Sequence, residues 1–132
     1  MTSSPLPRAR AVPAPDRDGP DFWTRREPDG SYVLGFTDDA QRRLGTVVYL
    51  RGPDVGRTYR GGESAFTLES EKCVRQLSIP AGGTVVEVNR DLEGDPSTIN
   101  RDPYGRGWVC RVRPLRPGAL ESATQFPPRT AR

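Results

Sequence analysis

A chain of 132 residues with a net charge of +3 and a pI near 9.2 has room for one domain. The absence of histidine and the presence of only Cys73 and Cys110 exclude a disulfide framework, a zinc site and the commonest general base, and so a self-sufficient catalyst is not expected. Arginines alternate with Asp and Glu instead of lining up with aromatics, and no apolar run approaches a membrane span, so neither nucleic acid nor membrane is an expected partner.

Residues 1–20 hold five of the 14 prolines and residues 114–132 hold four. These ends read as a disordered Pro-rich leader and a Pro-rich tail, with the folded domain over 21–113. No basic stretch followed by an apolar run opens the chain, which reads as cytoplasmic with reduced thiols.

Within the domain, 21–26 reads as a short strand carrying Phe22 and Trp23, and Pro28-Asp29-Gly30 turns it into a second strand over 31–36. Thr37 is placed to cap a two-turn helix. Asp38 and Asp39 fall at its positive end, Arg42 and Arg43 at its negative end, Ala40 and Leu44 share its buried face, and Gly45 stops it. Strands follow over 46–50, 57–60, 64–68, 74–79 and 84–89, separated by Gly- and Pro-bearing turns. The stretch 92–100 reads as irregular, with one helical turn over 96–99. A last strand places Trp108, Cys110 and Val112 on one face, opposite Val109, Arg111 and Arg113. Short strands at this spacing with one or two short helices make a mainly β fold, a small sandwich or barrel.

Lys72 is the only lysine beside 19 arginines, and it stands in a short polar tip between two apolar-alternating runs. An amine alone at the tip of a β-hairpin reads as an attachment point.

Laid out in this order, the chain resembles the H protein of the glycine cleavage system over about 21–113. The likeness is carried by Tyr32-Val33-Leu34-Gly35-Phe36-Thr37-Asp38-Asp39-Ala40-Gln41 with Leu44-Gly45, Pro53-Asp54-Val55-Gly56, Glu69-Ser70-Glu71-Lys72-Cys73, Pro80 and Gly83 before Val85-Val86-Glu87-Val88-Asn89, Asp95-Pro96-Ser97-Thr98-Ile99-Asn100 and Pro103-Tyr104-Gly105-Arg106-Gly107-Trp108. The resemblance implies a barrel-sandwich hybrid of two antiparallel sheets, as in lipoyl and biotinyl domains. It also implies covalent lipoate on Lys72, with Glu69, Ser70, Glu71 and Cys73 as the recognition stretch. The implied partners are a lipoate ligase or lipoyl transferase, a PLP-dependent glycine decarboxylase, an aminomethyltransferase and dihydrolipoamide dehydrogenase. In such a system the carrier is non-catalytic and presents a swinging arm. Biotin is the rival group, but biotinyl sites favour Met on both sides of the lysine, where this chain has Glu71 and Cys73.

The chain also departs from the family. Phe22 stands where the family has Glu, Gln76 where it has Asp, and no C-terminal helix is evident past Pro114, Pro117 and Gly118. The resemblance places Asp21, Phe22, Trp23 and Gln76 along the cleft that receives the loaded arm. A cationic aminomethyl cargo wants a charged acceptor there, which Phe22 and Gln76 do not supply. Three functions follow: a lipoyl carrier of the glycine cleavage type, a related carrier recruited to another pathway with a different cargo, or an unmodified interaction scaffold.

Overall fold

The computed structural model describes residues 17–18, 21–116 and 118–119. Most of the expected leader and tail, and the ground a C-terminal helix would occupy, lie outside these residues.

Nine strands and three short helices follow one another among the described residues: β1 (Arg17–Asp18), β2 (Phe22–Arg26), β3 (Tyr32–Phe36), α1 (Asp38–Leu44), β4 (Val47–Arg51), β5 (Thr58–Tyr59), β6 (Ser64–Ser70), β7 (Val74–Ser78), β8 (Gly83–Val88), α2 (Asp91–Gly94), α3 (Thr98–Arg101) and β9 (Cys110–Arg113). One antiparallel sheet runs β1-β2-β3-β9-β8-β5 and the other β4-β6-β7. The mainly β, two-sheet architecture is as expected. Pairing begins earlier than expected, because Arg17 and Asp18 lie against Thr24 and Trp23.

The main core fills the space between the sheets with Leu34, Phe36, Tyr59, Phe66, Leu68, Ile79, Val85 and Val112. Phe22 joins it, its ring 4.9 Å from Phe36 and 6.0 Å from Phe66. A smaller cluster of Trp23, Val33 and Trp108, with Tyr104 against it, forms a second apolar patch. This corrects the expected last strand. Trp108 packs with Trp23, while Val109 joins Cys110 and Val112 in the main core. The period-2 reading fails because 103–107 is a turn held by Gly107 N–H donating to Asp102 O at 2.8 Å, and the strand starts only at Cys110.

α1 forms as its ends dictate: Thr37 Oγ1 accepts the Ala40 N–H at 3.0 Å, and the Gly45 N–H donates to Gln41 O. The expected irregular stretch instead contains α2 and α3, three helices in all where one or two were expected. Each is a single turn with one buried anchor, Leu92 or Ile99.

Candidate modification site

β6 and β7 form a hairpin in register from Phe66 opposite Leu77 to Glu69 opposite Val74, which projects Ser70 to Cys73 as its tip. The tip is closed by Ser70. Its N–H donates to Cys73 O at 2.8 Å, and its hydroxyl oxygen accepts the N–H of Lys72 at 3.1 Å and of Cys73 at 3.2 Å. Lys72 is exposed and makes no ion pair among the described residues, with Glu71 or any other carboxylate. Cys73 is partly buried against the main core, its Sγ 3.7 Å from Ser70 Oγ. Glu69 lies half-buried between Tyr49 and Val74, which are 46% and 64% exposed.

A second set of contacts ties the tip to the body. The Glu71 N–H donates to Thr46 O at 3.0 Å, across from the junction between α1 and β4. The Lys72 stem lies over Gly45, where a Cβ would stand 3.3 Å from Lys72 Cγ and Cε. Asn100, on α3, bonds the same junction: its Nδ2 donates to Gly45 O and Gln41 Oε1, and its Oδ1 accepts from Val47 N–H. Sequence reasoning gave Gly45 only a helix-stopping role and assigned Thr46 and Asn100 none. An amide that bridges residues 53 and 55 positions away leaves no local signal.

The four residues expected along the arm cleft do not share one surface. Asp21 is half-exposed and pairs with Arg43 at 3.4 Å. Phe22, 5% exposed, is a core residue, and Trp23 turns to the other cluster with its Nε1–H donating to Pro103 O at 2.9 Å. Gln76 is exposed opposite Thr67, in a hairpin whose Phe66 and Leu68 face inward.

An exposed amine on a pinned turn, unpaired among the described residues and with a side-chain-free residue beneath its stem, suits covalent attachment of a long acyl arm. The family model for glycine cleavage H-protein matches residues 16–126. The chain belongs to this family. An H protein of Mycobacterium avium is 48% identical over 101 residues, 76% of each chain, and one of Alkalilimnicola ehrlichii is 45% identical over 92 residues, covering 70% of this chain and 71% of the relative. Among solved structures, a glycine cleavage system H protein from Mycobacterium marinum superposes with a TM-score of 0.71 at 39% identity, over 81% of this chain and 89% of that one. Membership accounts for the two-sheet sandwich, the architecture of that H-protein structure.

Proposed function

We propose that the protein is a lipoyl carrier of the glycine cleavage type, acylated on Lys72. The observation that carries the reading is the chain's single lysine, exposed at a hairpin tip whose backbone is held by Ser70 and by Thr46. Bound through an amide, lipoate supplies a dithiolane that takes up an aminomethyl group and releases it to a folate-dependent enzyme. What the chain contributes is placement. Acylation takes place at Nζ of an exposed side chain that makes no ion pair among the described residues, so a ligase reaches it without breaking an ion pair. The pinned Cα fixes the origin of the arm, so partner sites see a high effective concentration. Glu69, Ser70, Glu71 and Cys73 form the surface a lipoate ligase or lipoyl transferase meets. Glycine decarboxylase, aminomethyltransferase and dihydrolipoamide dehydrogenase are the later partners, in a cytoplasmic system.

Phe22 supports a second reading. The position at which the resemblance implies a carboxylate for a cationic cargo is a core phenyl turned away from the arm, and the missing acceptor favours a carrier recruited to another cargo.

Intact mass of the protein from its native host, with peptide mapping, tests both. A lipoyl or octanoyl adduct on Lys72, absent from Lys72→Arg, is the expected result, and mass beyond lipoyl identifies the cargo. An unmodified Lys72 in a host whose other lipoyl domains are fully acylated, or full function in Lys72→Arg, leaves only the scaffold.

A further inference from the structure

We propose that Asn100 is a positioning residue for Lys72, acting through the Gly45–Val47 junction. The inference rests on Lys72 being the acylated residue. All three bonds of the Asn100 amide converge on one place: Nδ2 donates to Gly45 O at 2.9 Å and to Gln41 Oε1 at 3.0 Å, and Oδ1 accepts the Val47 N–H at 2.9 Å. The groups fixed at 45 and 47 flank Thr46. Its carbonyl therefore has one direction, and that carbonyl accepts the Glu71 N–H at 3.0 Å.

Gly45 completes the seat. Its φ of 81° and ψ of −172° belong to a region essentially restricted to glycine, and it lies beneath the Lys72 stem. Beyond the ladder pairing of Ser70 with Val47 and the packing of Cys73 against the core, the tip meets the body at two further points, one on the backbone before the lysine and one along its side chain. Both points fall on the segment that Asn100 holds. The bonds within the tip close the turn around Ser70, while its direction relative to the sheets is set by the β4 pairing at Val47, a residue Asn100 also holds, and by these two contacts.

A ligase that engages one orientation of the tip binds only the fraction of molecules in that orientation. Releasing the junction lowers that fraction and raises the apparent KM by its inverse, while turnover once bound is unchanged. Asn100→Asp separates bonding from size, because it keeps an acceptor for Val47 N–H but sets a carboxylate against the carbonyls of Gly45 and Gln41.

The experiment uses the full chain with a lipoate–protein ligase, lipoate and ATP, and counts acylated product by intact mass. Asn100→Ala and Asn100→Asp raise the KM for the protein about tenfold with kcat changed by less than about twofold. Val85→Ala, a cavity variant in the other sheet with a comparable loss of melting temperature, leaves KM unchanged. Amide exchange at Glu71, read on unacylated protein, quickens in both Asn100 variants and not in Val85→Ala. Gln41→Ala removes one of the three bonds and gives a smaller rise in the same direction, which keeps the test open if the Asn100 variants do not fold. Acylated wild type with unaltered KM in the variants that fold overturns the role of Asn100 alone. A wild type that takes no lipoate on Lys72, where a known lipoyl domain is fully acylated, overturns the carrier reading and this inference with it.

Discussion

Gly35 lies on β3 directly beneath Trp23, and a Cβ there would stand 2.5 Å from the indole Cε2 and Cζ2. The indole cannot step aside cheaply, because it is 1% exposed and its Nε1–H is bonded to Pro103 O. Gly35→Ala is expected to cost about 1–3 kcal/mol through overpacking, read as a lower urea midpoint with a red-shifted tryptophan emission. Sequence reasoning met Gly35 as a strand residue and had no means to see the indole across the pair. Cys110 carries a pH dependence that is also invisible locally. Complete burial pushes its thiol from 9.0 up to about 12. In the unfolded chain the thiol ionises from pH 9 upward, while in the fold it stays protonated. Its stabilising contribution is therefore complete below pH 9 and falls by about 1.4 kcal/mol per pH unit as pH rises toward 12. Burial raises the Tyr32 phenol as well, from its ordinary 10.0, so that group steepens the loss only at higher pH. Cys110→Ala is less stable at pH 8 but declines less steeply between pH 9 and 10 in urea titrations. Equal slopes for the two proteins would exclude Cys110 as the source.

Among the elements, α1 was legible, α3 only as the single helical turn expected over 96–99, and α2 not at all, for one physical reason. α1 has a cap, charges matched to both ends, a buried i, i+4 pair and a glycine stop, all written in adjacent residues. Removing the cap with Thr37→Ala is expected to cost about 1 kcal/mol, measured as a shift in the unfolding midpoint with little change in its slope. A shift below a few tenths would mean that packing of Ala40 and Leu44 alone holds the helix. α2 and α3 are single turns, too short to show a 3.6-residue period, and neither has a side-chain cap. What holds them is tied to distant groups: the Asn89 side chain, two residues away, accepts the Asp91 N–H at 3.1 Å while its amide donates to Trp108 O, and Ile99 is fully buried. The lysine hairpin lies between these cases. Alternation showed its strands and composition showed its tip, but its clamp on Thr46 depends on residues brought together only by folding.

For the whole molecule, the two positions at which the resemblance implies a carboxylate differ in how deeply they are set. Phe22 is built into the core beside Phe36 and Phe66, whereas Gln76 stands exposed on β7. Placing a carboxylate at each therefore has unequal consequences. Gln76→Asp changes an exposed position and is expected to move stability by no more than about 0.5 kcal/mol. Phe22→Glu removes a buried ring, worth about 3–5 kcal/mol in such substitutions, and puts a carboxylate where only apolar side chains cluster, which adds a desolvation cost. For a domain of this size that approaches the total stability, so Phe22→Glu is expected to be largely unfolded at 37 °C by circular dichroism, while Gln76→Asp melts as wild type does. A Phe22→Glu protein that melts with wild type would place that side chain at the surface and return it to the arm cleft. The expected pair of results instead makes Phe22 a commitment of the fold, so that a cationic cargo would have to find its acceptor elsewhere. Asp21, half-exposed and already shared with Arg43, is the carboxylate next to it in sequence. Loss of aminomethyl loading in Asp21→Asn, with lipoylation of Lys72 intact, would keep the chain within the glycine cleavage role. Unchanged loading would remove Asp21 as the acceptor.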